Sequence, residues 1–231
     1  SMKVLQVLPS VVPGGGAEQS LVMVAPALRE AGIVVHLAVL TDRQALVGRI
    51  ERAGVIVHDL SAHRSTWSRA RALRRLVRRI EPALVHSTLY EADIPTRLGT
   101  LGTGVPLLTT WASTTYSFTR RSLEPGIAPW KRDVVRAIDA ATSLISRSSF
   151  HAVTEGVADD GIAALHVPAN RVTVVERGRD PQRFTVRDES ARRDARSRLG
   201  LPEDASMIVT VARQAHQKGH VHLPRAFDQV A

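Results

Sequence analysis

The sequence predicts an α/β protein built on a parallel sheet with helices on both faces. Apolar segments of strand length alternate with longer helical patterns from the N-terminus onward, as in folds where helices connect parallel strands. Several of these segments show no polar alternation, which is typical of strands that are covered on both sides. The chain has 231 residues, of which 44% are hydrophobic and 23% charged, so it has a globular composition and enough length for a sizeable core.

The predicted elements follow one another in a regular order. Eight apolar segments are candidate strands, and about seven of them are expected to form one parallel sheet; they cover residues 4–8, 33–40, 55–60, 83–86, 106–110, 143–146, 151–153 and 172–175. Helical patterns lie between them at residues 17–31, 44–53, 65–80, 92–101, 130–141 and 156–165. Gly32 and Gly54 follow the first two helices, where a glycine cap is expected.

The character of the chain changes near Asp180. Asp180 and Pro181 precede a mainly charged segment over residues 187–198. Charge runs and proline mark linkers, so residues 1–180 are predicted to form an N-terminal domain and residues 181–231 a linker with the beginning of a second domain.

The last residues predict one further strand and helix. Residues 207–211 have a strand pattern, residues 213–219 form a loop, and a helix opens at residue 223 with Pro224 in its first turn. One strand and one helix cannot bury a face of their own. We therefore expect a fragment of a longer protein, whose last segment packs on the first domain or pairs with another copy of the chain.

Charge and composition exclude several classes of protein. The net charge is +9 and only three lysines occur, so arginine supplies most of a positive charge that favours phosphorylated ligands, nucleic acid or an acidic membrane surface. No known nucleic-acid motif accompanies the charge, and a nucleic-acid partner is not expected. No segment has the roughly 18 apolar residues of a membrane span. The chain has no cysteine, which excludes disulfides and cysteine-bound metal and fits a cytoplasmic location.

A glycine-rich loop follows the first predicted strand. Gly14, Gly15 and Gly16 would let the backbone approach a ligand closely, and the helix that begins there offers N–H donors and partial positive charge to a phosphate or carboxylate. The spacing lacks the third glycine of the dinucleotide fingerprint G-x-G-x-x-G. An anion-binding loop and a flexible turn are both open interpretations of these residues.

A second candidate loop carries Arg213 and Lys218. A guanidinium fork and an ammonium point charge, five residues apart between a strand and a helix, could converge on a diphosphate. The alternative is two solvated cations on a surface loop. A metal site formed by His216, His220 and His222 is disfavoured, because no carboxylate accompanies these histidines.

Three further side chains are candidates for contact with an acceptor molecule. His86 ends a predicted strand at the edge where ligands bind in such sheets, although it could instead hydrogen-bond to its neighbours. Trp111 and Tyr116 flank a loop rich in serine and threonine. Their rings could stack on a sugar or lipid, or could pack over the sheet.

The predicted helix over residues 65–80 is amphipathic and basic. Trp67, Ala70, Leu73, Val77 and Ile80 are predicted to share its apolar face. Such a helix can lie on anionic lipid, and the alternative is a helix packed on the sheet with a solvated arginine face. The candidate membrane-surface residues are Arg71, Arg74, Arg75 and Arg78.

Four stretches of the chain occur in an order and spacing that match a known family. They are residues 14–18 (Gly-Gly-Gly-Ala-Glu), residues 83–87 (Ala-Leu-Val-His-Ser), the run from residue 150 through residue 180, and residues 211–213 (Val-Ala-Arg) with 217–220 (Gln-Lys-Gly-His). Together they resemble the retaining glycosyltransferases of family 4. This resemblance implies the GT-B fold, in which two Rossmann-like domains face each other across the active-site cleft.

The resemblance also implies an activity. Such enzymes transfer a sugar from a nucleotide-sugar donor to an acceptor hydroxyl with retention of configuration, and some members act on lipid-linked acceptors. This chain would supply the acceptor-binding domain and the start of the donor-binding domain. The alternative function is a non-catalytic module that binds an acceptor or a membrane surface.

Individual residues take their expected roles from the family. Arg213 and Lys218 fall on the pair that holds the donor diphosphate, and Gly14 to Gly16 fall on the turn that faces this diphosphate; no metal or other cofactor is implied. Many members carry a histidine where this chain has Ala112, so no catalytic residue is assigned. The family's E-x7-E motif would lie beyond Ala231, so this chain alone is expected to be inactive.

Overall fold

The computed structural model describes residues 1–13, 16–116, 128–178, 181, 188–212, 214 and 218–229. The chain divides into two units, Ser1–Glu176 and Arg177–Ala231. Each unit is best understood from its own elements.

The first unit contains one sheet of seven strands, all paired in parallel. The strands are β1 (Met2–Leu8), β2 (Ile33–Val39), β3 (Ile56–Asp59), β4 (Leu84–Thr88), β5 (Leu107–Trp111), β6 (Ser149–Ala152) and β7 (Val172–Val174). Their spatial order is β3-β2-β1-β4-β5-β6-β7, so the direction of the winding reverses between β1 and β4. In open parallel sheets, ligands bind beside the carboxyl ends of the strands at such a reversal.

Helices connect these strands throughout the first unit. They are α1 (Gly16–Glu30), α2 (Val47–Arg52), α3 (Thr66–Ile80), α4 (Tyr90–Thr100), α5 (Pro129–Ile145) and α6 (Glu155–Leu165), with a short 3-10 helix over Ala169–Arg171. No helix among the described residues is long and apolar enough to cross a bilayer. The α/β architecture predicted from the sequence is confirmed.

The core lies on both faces of the sheet. Alternate side chains of β2 point to opposite sides, so Ala38 joins a cluster that contains Leu73 of α3, while Leu37 joins a cluster that contains Leu21 of α1. This double burial explains why β2 is apolar without alternation. Gly32 and Gly54 cap the preceding helices with φ angles of +75° and +88°, as the sequence predicted.

One predicted strand of the first unit is wrong. Residues 143–146 belong to the end of α5 and its cap rather than to a strand. Ser143 is buried while Leu144 and Ile145 are exposed, a pattern that follows the period of a helix and not that of a strand. The next strand, β6, begins three residues later at Ser149.

The second unit differs from prediction in its first half. The charged segment predicted as linker forms helix α7 (Glu189–Arg198), and the Asp188 carboxylate caps it by accepting a 2.8 Å hydrogen bond from the Ala191 amide. Arg196 is buried and donates to the carbonyls of Pro202 and Ala205, which ties the following segment to the helix.

The second half of this unit contains one wrong and one confirmed element. Residues 207–211 form no strand, and Val211 is 92% exposed. A strand requires a neighbour for its backbone groups, and the described residues provide none for this segment. Helix α8 (Leu223–Phe227) begins as predicted, with Pro224 in its first turn.

The packing of α6 on β5 depends on a glycine. The indole ring of Trp111 lies so close to Gly161 that a Cβ atom on this residue would stand 2.4 Å from two ring carbons. The same ring packs on Phe150, with centroids 4.6 Å apart. Trp111 is therefore fixed between α6 and the sheet.

We predict that Gly161→Ala destabilises the first unit by about 1–3 kcal/mol, because the added methyl group forces the indole ring from its place. Gly156→Ala is the matched control, since Gly156 lies in the same helix and has open space around its Cβ position. Helix propensity alone predicts a neutral or slightly stabilising effect there, within about 1 kcal/mol. Urea unfolding measures both; equal stability changes in the two variants would contradict this packing.

Candidate functional site

A ladder of polar side chains crosses the sheet near the carboxyl ends of its strands. Gln6 Nε2 lies 3.3 Å from His86 Nδ1, and His86 Nε2 lies 2.7 Å from Thr110 Oγ1. Thr110 Oγ1 lies 3.0 Å from His151 Nδ1, and His151 Nε2 lies 2.8 Å from the carbonyl oxygen of Val175. We call these five residues the histidine ladder; it joins β1, β4, β5 and β6 to the residue after β7.

With both histidines neutral, the last member fixes the direction of every hydrogen bond in the histidine ladder. A carbonyl can only accept, so in a neutral His151 ring Nε2 carries the hydrogen and Nδ1 accepts from the Thr110 hydroxyl. Thr110 then accepts from His86 Nε2, and His86 Nδ1 accepts from the Gln6 amide. Burial, with a smaller electrostatic contribution from His151, lowers the pKa of His86 to about 4. His86 is therefore neutral near pH 7, as this arrangement requires.

A second polar group, buried between helices, lies on the other side of β5. Arg97 of α4 is 1% exposed, and its Nη1 donates to the Asp139 carboxylate of α5. The hydroxyl of Tyr116 donates to the other oxygen of the same carboxylate at 2.6 Å. Arg97 also lies over the ring of Phe150, 5.7 Å from its centroid. We call Asp93, Arg97, Tyr116 and Asp139 the buried charge cluster.

Asp93 is the unusual member of the buried charge cluster. It is 3% exposed, and its Oδ1 has no hydrogen-bond partner among the described residues. Burial, together with the negative charge of Asp139 and against the opposing effect of Arg97, raises the pKa of Asp93 to about 7. Burial and the adjacent Asp139 also raise the pKa of Tyr116. A carboxyl group that titrates near neutrality beside a ligand-binding edge is a candidate functional group.

The buried charge cluster borders a small pocket at the carboxyl ends of β4 and β5. Its volume is about 20 Å³, enough for a single water molecule, and its lining includes Asp93, Trp111, Tyr116 and Asp160. The turn that leads from β4 into α4 passes through Leu89, whose φ of 76° is rare for a residue with a side chain. Such outliers cost about 1–3 kcal/mol and concentrate at functional sites.

Two of the three predicted acceptor residues lie together. Trp111 and Tyr116 line the pocket, whereas His86 lies in the histidine ladder with both ring nitrogens bonded to neighbouring side chains. Trp111 is 9% exposed and packs as a core residue. Each of the three side chains therefore has partners within the protein, and its contact with an acceptor stays a prediction.

Sequence reasoning missed Asp93, Arg97 and Asp139. A signal was present, because Asp93, Thr96, Arg97 and Thr100 recur at helical spacing and all are buried in α4. A charged residue on the buried face of a helix needs a partner. The partner, Asp139, lies 42 residues away, where nothing in the local sequence identifies it.

The arginine-rich helix α3 matches prediction only in part. Arg71, Arg75 and Arg78 are exposed, but Arg74 donates at 2.6 Å to the carbonyl oxygen of Leu101 at the end of α4. Trp67, which the sequence places on the apolar face of this helix, lies in the first turn of α3 and is 68% exposed, whereas Ala70, Leu73, Val77 and Ile80 are buried.

The predicted diphosphate residues fall largely outside the described part of the chain. Gly14, Gly15 and Arg213 are not among the described residues, Gly16 opens α1, and Lys218 is exposed. His216 also lies outside the described residues. Among those that are described, no group of three or more histidine, aspartate or glutamate side chains could hold a metal ion.

We predict that Thr110→Val destabilises the protein by roughly 1–3 kcal/mol, because it leaves the buried N–H of His86 without an acceptor. Thr173→Val on β7 is the matched control: Thr173 is exposed, and its substitution should change stability by less than about 0.5 kcal/mol. Denaturant unfolding of both variants is the measurement. A Thr110 variant as stable as the Thr173 variant would show that the histidine ladder contributes nothing.

Several solved structures have a similar fold, and one of them is named a glycosyltransferase. A glycosyltransferase from Rickettsia africae has a TM-score of 0.71 at 18% identity, over 99% of this chain and 57% of that chain. HepE from Anabaena, in complex with UDP and glucose, has a TM-score of 0.74 at 18% identity, over 100% of this chain and 59% of HepE. MurG from Acinetobacter baumannii has a TM-score of 0.51 at 13% identity, over 79% of this chain and 47% of MurG. This chain therefore spans less than three fifths of each of these proteins.

The sequence itself identifies the family. No curated protein matches the chain. The profile of Glycosyltransferase Family 4 matches residues 14–183, which is well over half of the 231 residues and includes the glycine loop, the buried charge cluster and every member of the histidine ladder except Gln6. The seven-stranded first unit has the Rossmann-like architecture of a GT-B N-terminal domain. The chain belongs to Glycosyltransferase Family 4.

Proposed function

We propose that this chain is the acceptor-binding part of an enzyme that transfers a sugar from a nucleotide-sugar donor to an acceptor hydroxyl with retention of configuration. The observation that carries the proposal is the family match over residues 14–183. The crystal structure of HepE in complex with UDP-glucose supports a nucleotide sugar as the donor class. This chain corresponds to 58% of the length of HepE, so the activity proposed is that of a whole enzyme of this kind.

The proposed donor contacts are Gly14, Gly15, Gly16, Arg213 and Lys218. Amide groups at the start of α1 would face the diphosphate, because the N-terminus of a helix favours negative charge. Arg213 and Lys218 would neutralise the departing nucleoside diphosphate, so that no metal ion is needed. The net charge of +9 is consistent with an anionic substrate.

The proposed acceptor surface is the loop over residues 112–116. Two contacts anchor this loop at its ends. The Tyr116 hydroxyl donates a hydrogen bond to Asp139, and the Trp111 ring packs against Phe150 and Gly161. The pocket below the loop has room only for water, so the acceptor would lie above it at the carboxyl edge of the sheet. His86 would act by positioning Thr110 and β5 through the histidine ladder.

The activity is tested with protein made from the complete gene. Nucleoside diphosphate release is measured with a panel of nucleotide sugars and simple acceptors, and the anomeric configuration of the product is read by NMR. Turnover that continues in the presence of EDTA and gives a product with the donor's configuration would support the proposal. An inverted product would refute retention, and the absence of both turnover and donor binding would favour a non-catalytic binding module.

We predict that Arg213→Ala and Lys218→Ala each weaken the binding of nucleoside diphosphate by the complete protein. A charged hydrogen bond is worth about 1.5–3 kcal/mol, which corresponds to roughly a 10- to 100-fold rise in Kd. Arg198→Ala removes an exposed arginine at the end of α7 and is the matched control. Calorimetry measures the three affinities. Equal affinity in all three variants and the wild type would remove these residues from the donor site.

Peripheral contact with a membrane is a second proposal, favoured by the exposure of α3. Trp67 is 68% exposed at the start of this helix, and Arg71 and Arg78 are exposed along it. Tryptophan is favoured at the boundary between lipid and water, and basic residues are attracted to anionic headgroups. Such contact would bring the acceptor domain to a lipid-linked acceptor.

We predict that this chain cosediments with vesicles of phosphatidylserine and phosphatidylcholine and that Arg71→Gln/Arg78→Gln reduces the binding constant. Each arginine near the surface contributes about 1 kcal/mol, so the double variant should lose roughly 30-fold. Arg49→Gln/Arg52→Gln has the same charge change on exposed residues of α2 and should bind like the wild type. Equal losses in both double variants would show that net charge alone drives any binding.

A further inference from the structure

A groove lies between the end of β3 and helix α3, away from the carboxyl edge of β4 and β5. Its volume is about 240 Å³, and it is lined by Leu60, His63, Ala72, Arg75, Leu76 and Arg79. We call it the α3 groove. Among the described residues, β3 is the outermost strand on this side of the sheet.

The floor of the α3 groove is apolar. Ala72 and Leu76 are each 4% exposed and belong to the buried face of α3. Leu60 packs against the same core cluster. A ligand that enters the groove therefore meets hydrocarbon, and its own apolar atoms would leave water on binding.

The wall of the α3 groove is cationic. Arg75 and Arg79 are exposed and stand one helical turn apart, so both guanidinium groups project from the same side of α3. Neither has a hydrogen bond or an ion pair within the described part of the chain. Two other arginines of the same helix are bound, since Arg69 donates to the His63 carbonyl and Arg74 to that of Leu101.

The residues that line the α3 groove carry positive charge and no carboxylate. The acid next to them in the chain is Asp59, which precedes Leu60 and accepts a 2.8 Å hydrogen bond from the Ser61 amide. Beside the α3 groove, His36 of β2 and His58 of β3 stack and share a 3.0 Å hydrogen bond between ring nitrogens. Burial first, and then Lys3 and Arg79, lowers the pKa of His36; burial, His36 and Arg79 lower the pKa of His58. Arg79 of α3 therefore makes the electrostatic potential more positive at His36 of β2 and at His58 of β3.

We propose that the α3 groove binds a small organic phosphate that carries an apolar substituent. The phosphate would lie on Arg75 and Arg79, which can offer it paired N–H donors, and the substituent would cover Leu60, Ala72 and Leu76. A lipid headgroup on a bilayer matches this groove less well, because its hydrocarbon stays in the membrane and leaves the apolar floor uncovered. The site is independent of the proposed transfer of sugar.

The test compares octyl phosphate, kept below its micelle concentration, with inorganic phosphate and with octanol by calorimetry on this chain. Each buried methylene should strengthen binding by about fourfold, so octyl phosphate should exceed inorganic phosphate by far more than tenfold. Octanol lacks the charge and should bind at least about tenfold more weakly than octyl phosphate. Equal affinity for octanol and octyl phosphate, or no binding of octyl phosphate, would overturn the proposal.

Two double variants locate the site. Arg75→Gln/Arg79→Gln should lower the affinity for octyl phosphate by about 10-fold or more. Arg71→Gln/Arg78→Gln removes the same charge from exposed positions of the same helix that do not line the groove, and it should change the affinity by less than about threefold. Equal losses in the two variants would indicate a diffuse positive field and would overturn the groove as a site.

A second readout is the NMR titration of the His58 ring. Bound phosphate offsets the positive charge of Arg79, which is one cause of the lowered pKa of His58, so this pKa should rise when octyl phosphate saturates the wild-type protein. In the variant Arg75→Gln/Arg79→Gln, the pKa of His58 should not change when octyl phosphate is added. The same NMR spectrum shows whether this variant is folded. If octyl phosphate binds but the pKa of His58 does not change, the ligand binds outside the α3 groove and the proposal is overturned.

Discussion

The buried ion pair between Arg97 and Asp139 is the constraint on which the carboxyl edge of the sheet depends. It joins α4 to α5, and through the hydroxyl of Tyr116 it also holds the loop over residues 112–116. Removing two charges from water costs several kcal/mol for each ion, so such a pair is a poor source of net stability. The ion pair instead fixes the position of α4 relative to α5, because neither charge can be buried unless the other lies beside it.

The histidine ladder provides the complementary constraint within the sheet. The buried charge cluster lies among the helices, whereas the ladder runs from strand to strand and includes Thr110, whose hydroxyl both accepts and donates. Each polar group in it has a partner, so burial of these side chains carries little penalty. Together the two networks hold the ends of β4, β5 and β6, beside which we propose that the acceptor binds.

The sequence predicted the sheet well because its evidence is local. Unbroken apolar strands, amphipathic helices and glycine caps at Gly32 and Gly54 are visible in short windows. The prediction for residues 143–146 is wrong for the same reason, because a short apolar pair between two serines resembles a strand in a short window although the preceding helix continues through it. Residues 207–211 have strand propensity but no strand beside them.

The site was harder to predict than the fold because its partners are distant in sequence. Arg97 and Asp139 are 42 residues apart, and His86 and Thr110 are 24 apart. The sequence shows the type of each residue, but it does not show which of these residues are in contact. The family resemblance supplied Arg213, Lys218 and the glycine loop, which no spacing argument could have separated from solvated surface residues. It supplied nothing about Asp93, whose raised pKa comes first from burial and then from the charge of Asp139, which is distant in sequence.

Asp93 offers the most direct test of the buried charge cluster. Its pKa is raised from 3.8 to about 7 in the folded protein, so the folded state binds the proton more tightly than the unfolded state. The stability that Asp93 contributes is therefore complete below about pH 4 and is lost as the pH rises to about 7, a difference of roughly 4 kcal/mol.

The measurement is the free energy of unfolding of the wild type and of Asp93→Asn by urea across this pH range. The neutral amide cannot ionise, so the variant should match the wild type in acid and become more stable than it as the pH approaches neutrality, by up to about 1.4 kcal/mol for each pH unit. Contributions from other groups, including His86, cancel in the difference. A difference that stays constant with pH would contradict the account.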